Sequence, residues 1–496
     1  MNKIGFDNEK YIATQSEHIR KRIDQFGGKL YLEFGGKLFD DYHAARALPG
    51  FAPDSKIRML IQLKDEAEIV IAINANDIEK NKVRGDLGIT YDLDTLRLID
   101  AFRSFGLFVG SVVLTRWQDQ PAAIKFQKRL ESLGVRVYRH YHIPGYPSDV
   151  DRIVSDEGFG KNDYIETTRS LVVVTAPGPG SGKMATCLSQ LYHEQKKGIH
   201  AGYAKFETFP VWNLPLKHPV NLAYEAATVD LNDVNMIDHY HLDAYGKTAV
   251  NYNRDIEIFP VLNAMFERIN GTSPYRSPTD MGVNMAGNCI IDNDAVCAAA
   301  NMEIIRRYYH ASCEHRKNGE VGEFHDTEKL KLIMQSAGLE LSYRKVATIA
   351  NDKAAATGKP AAAIQLPNGE TVTGKTSRLL GAASAALLNA LKAMAGIEDE
   401  VDLISPEILE PITNLKVKTL GSRNPRLHPN ELLIALSICA VTDPVAARAQ
   451  EQLGRLRGCE MHSSVILSEG DVHTLKKLGL NLTCEPTYES KRLYQG

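Results

Sequence analysis

The most constraining feature of this sequence is a repeated alternation between strand-length apolar runs and stretches with helical periodicity. The apolar runs include SKIRMLIQL at residues 55–63, AEIVIAINA and LFVGSVVLT. Between them, TLRLIDAFRSFG and AAIKFQKRLESLG have the 3.6-residue period of a helix and end in glycine. Repeated β–α–β order predicts an α/β fold with mostly parallel sheets and flanking helices.

The alternation continues into a segment that resembles a phosphate-binding loop. Residues 171–174 form an apolar run without polar alternation, which is typical of a central parallel strand. The loop APGPGSGK follows, and then a helical stretch that ends at Gly198. Against the pattern G-x-x-x-x-G-K-[ST], the loop has Pro177 at the first position and Met184 at the last.

This loop is nevertheless the leading candidate for a binding site. Its glycines leave backbone amides free to turn inward, and a helix N-terminus follows directly, so both attract anions. We expect Lys183 to pair with a phosphate, and Ser181 or Thr186 to replace the missing hydroxyl if magnesium binds. The candidate ligand-binding residues are Gly178, Gly180, Ser181, Gly182, Lys183 and Thr186. The alternative is a proline-stiffened turn with a solvated lysine.

The segment from about Glu207 to Asp294 is polar and aromatic with little clean periodicity, so we expect it to be largely irregular. Its loops at residues 208–253 are expected to form the facing wall of a substrate site. Within it, Asp230 or Asp233 could position a metal ion or a water molecule. His239 and His241 lie two residues apart, so on a strand both imidazoles would share a face and could bind a metal. The alternative is a pair of hydrogen-bonded loop histidines.

A second Gly-Lys element, with Gly369 followed by Gly374-Lys375-Thr376, satisfies the phosphate-loop pattern fully. However, Asn368-Gly369 is a strong hairpin signal, and the residues after it alternate as a returning strand does. We therefore expect a strand-to-helix corner that carries Lys375 and Thr376 into a site, with a phosphate loop as the alternative.

A further unusual segment contains Gly35-Gly36-Lys37, then Asp40-Asp41 and His43. It mixes flexible backbone with titratable side chains. It could bind a substrate, or it could form a salt-linked turn.

Length and composition set the remaining expectations. The 496 residues suggest three parts, at 1–165, 166–320 and 321–496, the last an α+β domain. With a net charge of −3, the chain lacks the overall positive charge that would attract nucleic acid, so we expect no nucleic-acid partner. The sequence has no run of about 18 apolar residues, so we expect no membrane span. Seven irregularly spaced cysteines favour reduced thiols and a cytoplasmic location. We expect a homo-oligomer.

Several long motifs, among them LYLEFGGKLFDDYHAARALPGF, VVVTAPGPGSGKMATCLSQLYHE and NPRLHPNELLIALSICA, resemble the bacterial domain-of-unknown-function 1846 family over essentially the whole chain. The family is functionally uncharacterised, so the resemblance supplies no catalytic residues. Some members carry the label ATP-dependent zinc protease, which implies ATP as a candidate ligand. The H-E-x-x-H signature of such a protease is absent, because His193 has its next histidine seven residues away.

The sequence therefore favours a cytoplasmic enzyme that binds ATP or another phosphorylated small molecule, with magnesium as a possible companion. The candidate catalytic residues are Asp230, Asp233, His241 and Lys375. A metal-dependent hydrolase built on His239 and His241 is the first alternative. A non-catalytic assembly whose polar loops make subunit contacts is the second.

Overall fold

A computed structural model describes residues 3–36, 38–84, 87–319 and 325–489. The chain forms two compact units, one of residues 4–299 and the other from residue 300 onward. Within the described ranges, no helix combines the length and hydrophobicity that crossing a membrane requires.

A seven-stranded parallel sheet organises the first unit. Its order is β11-β8-β1-β7-β2-β5-β6, and every pairing within it is parallel. The strands of this unit are β1 (Leu30–Phe34), β2 (Ala67–Asn74), β3 (Val83–Arg84), β4 (Ile89–Thr90), β5 (Phe108–Trp117), β6 (Arg136–Tyr141), β7 (Leu171–Thr175), β8 (Gly202–Phe206), β9 (Asn235–Ile237), β10 (Val250–Tyr252) and β11 (Gly282–Val283). Strands from both sides of residue 165 share this one sheet.

The helices of this unit flank the sheet, so the predicted α/β architecture is confirmed. They are α1 (Asn8–Gln25), α2 (Tyr42–Ala47), α3 (Ser55–Gln62), α4 (Ala75–Glu79), α5 (Tyr91–Ser104), α6 (Pro121–Ser132), α7 (Val150–Ile153), α8 (Lys183–Lys196), α9 (Pro219–Ala227), α10 (His239–Tyr245), α11 (Asn253–Asn270) and α12 (Pro278–Met281). Residues of α8 and α11 form one core with residues of β1, β2, β7 and β8.

Two secondary-structure predictions were wrong. Residues 55–63 form α3 and its C-cap rather than a strand. The buried positions Lys56, Met59, Leu60 and Leu63 follow helical spacing, and α3 packs against α1. The polar segment after Glu207, which we expected to be largely irregular, contains helices α9–α12 and strands β9–β11.

The strand order of the sheet reverses between β1 and β7, which are neighbours in the sheet. After β1 it continues to β2, on the far side of β7, whereas after β7 it continues to β8, on the far side of β1. The two connections therefore diverge from adjacent strand ends. In open parallel sheets, ligands bind in the crevice at such a switch point, outside the carboxyl ends of the strands.

The second unit contains a mixed four-stranded sheet of order β13-β12-β14-β15, in which only β14 and β15 pair in parallel. Its strands are β12 (Ala361–Gln365), β13 (Thr371–Lys375), β14 (Glu460–Ser463) and β15 (Asn481–Cys484). The helices from here on are α13 (Asn293–Lys317), in which the unit boundary falls, α14 (His325–Ser336), α15 (Lys345–Thr357), α16 (Ala382–Ala395), α17 (Pro406–Asn414), α18 (Pro429–Cys439), α19 (Pro444–Gln450) and α20 (Glu469–Lys477). This mixed sheet with its helices confirms the predicted carboxy-terminal α+β domain.

The hairpin predicted at Asn368-Gly369 connects β12 to β13, and Gly369 has a φ of +89°. Gly374 lies within β13 and packs against α16. A β-carbon there would overlap the backbone nitrogen of Ala386. The glycine of this second Gly-Lys element therefore permits close strand–helix packing.

We expect Gly374→Ala to destabilise the second unit by about 1–3 kcal/mol, because the backbone of α16 cannot move aside as a side chain can. Differential scanning calorimetry measures the change. Gly454→Ala is the matched control, since a β-carbon at Gly454 meets no atom within 4 Å. Equal melting temperatures for the two variants would contradict this account.

Candidate functional site

A glycine-rich loop connects β7 to α8 and crosses the carboxyl ends of three neighbouring strands. It leaves Thr175 at the end of β7, passes Asn74 at the end of β2 and contacts Thr115 in β5. Gly180 and Gly182 have φ angles of +75° and +86°, which residues with a side chain rarely adopt. The glycines therefore allow a path that other residues would strain.

Four carbonyl groups of this loop accept hydrogen bonds from the protein itself. The donors are Ser181 Oγ to the carbonyl of Gly178 (2.8 Å), Asn74 Nδ2 to Gly180 (3.4 Å), Thr115 Oγ1 to Ser181 (2.7 Å) and the amide of Thr186 to Gly182 (2.9 Å). Two of the donors belong to other strands of the sheet. The sheet therefore fixes the loop through its carbonyl groups.

The amide groups of the same loop have no such partners. Among the described residues, no acceptor lies in hydrogen-bonding geometry with the amide of Gly178 or those of residues 180–185. The last three belong to the first turn of α8, where no intrahelical acceptor exists. With four carbonyls engaged and these amides open, the described part of the loop presents mainly donors, which is the arrangement that binds an anion.

The side chain of Lys183 adds a positive charge to this row of donors. It is partly exposed and forms no ion pair or hydrogen bond within the described ranges of the chain. It begins α8, whose 14 residues point the positive end of the helix dipole at the same place. The loop thus offers one mobile cation besides its fixed amides.

The two candidate hydroxyl groups lie beneath the loop. Ser181 is fully buried, and its hydroxyl donates to the carbonyl of Gly178, so its visible contact is within the loop. Thr186 is also fully buried, and its Oγ1 has no hydrogen-bonding partner in the part of the chain that the structure describes. It lies one helical turn beyond Gly182, on the same face of α8.

Charged residues stand beside this loop at the ends of β1 and β8. Glu33 pairs in register with both Val174 of β7 and Lys205 of β8, so the three side chains lie on the same face of the sheet. Tyr203 donates to Glu33 Oε2 (2.7 Å), and Lys205 forms ion pairs with Glu207 (3.0 Å) and Asp255. Three carboxylates thus surround one lysine next to the switch point.

Burial controls the protonation of this cluster. Burial alone would lower the pKa of Lys205, but Asp255 and Glu207 outweigh it and raise that pKa above its ordinary value. Burial raises the pKa of Glu207, and Lys205 offsets only part of the effect. Burial also raises the pKa of Tyr146 to about 12, with Glu33 reinforcing the shift and Arg116 opposing it.

Sequence reasoning missed Glu33, Lys205 and Asp255, although a signal was present. The strands LYLEF and GYAKF share one pattern, a tyrosine, a charged residue two positions later and a final phenylalanine. A charged residue near the carboxyl end of an otherwise apolar parallel strand is the kind of position that faces a ligand crevice.

The structure places the two predicted aspartates differently. Asp233 is buried and pairs with Arg254 (3.2 Å). Burial raises the pKa of its carboxyl group, and the positive charge of Lys205 lowers that pKa. Asp233 therefore lies near the charged cluster. Asp230 is exposed in a short turn of 3-10 helix at Val229–Leu231.

The strand on which His239 and His241 would share a face is not formed, because both residues begin a helix, α10. Residues two apart on a helix point to different sides. His241 is buried, with Nδ1 3.0 Å from Ser277 Oγ, whereas His239 is exposed. Within the described residues, no three His, Cys, Asp or Glu side chains are grouped closely enough to hold a metal ion.

Lys375 and Thr376 lie at the end of β13 in the second unit. Lys375 is exposed and Thr376 is buried, and the amide of Thr376 donates to the carbonyl of Pro360. In the segment Gly35-Gly36-Lys37, Lys37 lies outside the described residues. Asp41 forms a salt-linked turn, in which it caps α2 through the amide of Ala44 (3.2 Å) and pairs with Lys56 (2.8 Å).

Comparison with known proteins finds similarity over the whole chain. Residues 4–338 match the family described as domain of unknown function DUF1846, N-terminal, and residues 342–494 match its C-terminal counterpart. A UPF0371 protein of Streptococcus sanguinis is 60% identical over 495 residues, which is 100% of both chains. A UPF0371 protein of Streptococcus pneumoniae is 59% identical with the same coverage.

The bond from Thr115 to the loop can be tested directly. Thr115→Val removes the donor and leaves the buried carbonyl of Ser181 unsatisfied, so we expect the free energy of unfolding to fall by about 1–2 kcal/mol. Thr115→Ser keeps the hydroxyl and is the control. Urea denaturation followed by tryptophan fluorescence measures both. A valine variant at least as stable as the serine variant would show that the loop does not depend on this bond.

Proposed function

Because the chain belongs to the DUF1846 family, which is defined by a domain of unknown function, we propose its function from the geometry of its site. The protein is a bacterial cytoplasmic enzyme that binds a nucleotide, such as ATP, or another phosphorylated small molecule at residues 178–183. The seven cysteines are all free thiols, which supports a reducing compartment.

One observation carries this proposal, namely that four of the loop's carbonyls are bonded within the protein, whereas the amides of Gly178 and of residues 180–185 have no acceptor among the described residues. Folded proteins pair nearly all their buried amides. A phosphate supplies several acceptor oxygens, each able to take more than one hydrogen bond. An anion at this loop would therefore satisfy donors that the protein itself leaves open.

The surroundings of the loop suit phosphoryl or nucleotidyl transfer. Such catalysis consists mostly of positioning and charge neutralisation, which the amides and Lys183 provide. Of the candidate aspartates, Asp233 lies near the cluster of Lys205, Glu207 and Asp255 and is the better placed to orient a water molecule or a substrate hydroxyl. Magnesium would be held by the ligand's phosphate oxygens and by water, since the two loop hydroxyls are buried.

A thermal-shift screen of ATP, other nucleotides and sugar phosphates tests the site. A compound at about 100 times its dissociation constant stabilises the folded protein by roughly 2.7 kcal/mol. We expect at least one phosphate compound to raise the melting temperature of the wild type, and Lys183→Ala to reduce the shift strongly.

Lys375→Ala is the control, because Lys375 belongs to the element that satisfies the phosphate-loop pattern but lies in the second unit. Its shift should equal that of the wild type. Absence of stabilisation by every phosphate compound, or a shift that Lys375→Ala abolishes and Lys183→Ala preserves, would refute the proposal.

We also propose that the protein self-associates through one face of α18. Ile434 and Ile438 lie one helical turn apart on α18 and are 62% and 63% exposed, and Val441, two residues beyond the end of the helix, is 83% exposed. With Leu433, Ser437 and Thr442 they line a shallow hollow. Exposed apolar stripes of this kind mark interaction surfaces.

Charge favours a second copy of the chain as the occupant of this stripe. No charged residue lies between Glu431 and Asp443. Glu431 is held by Lys416 (2.8 Å), and Asp443 caps α19 through the amide of Val445 (2.8 Å). An uncharged apolar stripe offers nothing to an acidic or basic partner. The apolar stripes of two copies can pack against each other across a two-fold axis, and no like charges repel at this contact.

We expect light scattering after gel filtration to give a dimer or larger oligomer for the wild type and a monomer for the double variant I434E/I438E. Two buried glutamates at the contact would each cost desolvation. Leu332→Glu is the control, because Leu332 is 64% exposed on α14 and lies outside the stripe. A monomeric wild type, or an oligomer that survives in I434E/I438E, would exclude this interface.

A further inference from the structure

A second cation, Arg116, adjoins in sequence a residue that contacts the loop. Arg116 follows Thr115, whose hydroxyl donates to the carbonyl of Ser181 (2.7 Å) and whose side chain fills the space next to Gly182. Arg116 is exposed, and its guanidinium forms no ion pair or hydrogen bond within the ranges that the structure describes. By contrast, the guanidinium carbon of Arg139 lies over the ring of Trp117, 4.8 Å from the ring centroid.

The backbone holds Arg116 in an unusual conformation. Its φ is +51°, in the left-handed region that residues with a β-carbon rarely adopt. The pairing of β5 with β6 shifts register at the same place, between Leu114 and Trp117. The bulge turns the residue out of the strand at the carboxyl edge of the sheet, where the loop passes.

Electrostatic neighbours place this guanidinium on the side of the sheet where α8 begins. The charges of Arg116 and Glu33 both act on the hydroxyl of Tyr146. The charges of Glu33 and Lys183 both act on the thiol of Cys187 in α8. Arg116, Glu33 and Lys183 therefore border the same region at the carboxyl edge of the sheet.

The loop itself is longer than one phosphate group. It runs from the end of β7 across β2 to β5, a distance of two strand spacings, or about 10 Å. Its free amides extend along this path. Beneath the end nearer α8 lies the hydroxyl of Thr186, which is fully buried and has no hydrogen-bonding partner among the described residues, an observation independent of the loop's amides.

We propose that the ligand of this site carries two linked phosphate groups, and that Arg116 binds the second of them. This inference rests on the proposed function, because the first phosphate occupies the amides and Lys183. A guanidinium is suited to the role, since its fork of N–H donors matches two phosphate oxygens. The ligand class is then a diphosphate, such as a nucleoside diphosphate or triphosphate, rather than a simple phosphomonoester.

Isothermal titration calorimetry with inorganic phosphate and with pyrophosphate tests this proposal. The decisive variant is Arg116→Gly, because glycine adopts a left-handed φ freely and the fold should be preserved. We expect pyrophosphate to bind the wild type at least about tenfold more tightly than phosphate, and Arg116→Gly to remove most of that difference. Its affinity for phosphate should change by less than about threefold.

Asn81→Gly is the matched control, since Asn81 is exposed, has a φ of +48° and carries no charge. Both affinities should remain those of the wild type. If pyrophosphate binds Arg116→Gly as tightly as it binds the wild type, Arg116 has no such role, and the proposed phosphate site stands without it. If neither anion binds the wild type, or if Lys183→Ala binds both unchanged, the proposed function fails and the diphosphate inference fails with it.

Discussion

Peptide groups in a folded protein normally satisfy both their N–H and their C=O, and the loop between β7 and α8 satisfies mainly one of them. Four of its carbonyls accept from Ser181, Asn74, Thr115 and the first turn of α8, whereas its amides donate to no acceptor among the described residues. Two of these donors sit on β2 and β5, so the order of the strands decides which way the loop turns its peptide groups. The site is thus a property of the sheet as much as of the loop.

Local pattern predicted the central strands β2, β5 and β7 of the first unit's sheet because these strands are almost wholly buried. In β2 and β7 every residue is buried, and the corresponding runs are almost entirely apolar. The same reasoning failed for residues 55–63, an apolar run of similar length that forms α3. Short apolar runs do not distinguish a buried strand from a helix, and here the packing partner α1 decides.

The candidate site was predictable only in part. The glycines and Lys183 are adjacent in sequence, so they could be found from spacing, whereas Thr115 and Arg116 reach the loop through strand order, which no local pattern encodes. The element around Gly374 matches the phosphate-loop pattern in sequence, but in the structure this glycine permits close packing between a strand and a helix. The spacing of His239 and His241 would bring the two imidazoles together only on a strand, whereas these residues lie on α10.

Because the sheet braces the loop through its carbonyls, the loop is preorganised, and an incoming anion need not pay the entropy of ordering a flexible backbone. The geometry of recognition is then set at folding rather than at binding. Such a site selects ligands by the fixed spacing of its N–H donors and gains little from closure around the ligand. A substitution at Asn74 or Thr115 would change that spacing without removing any contact to the ligand.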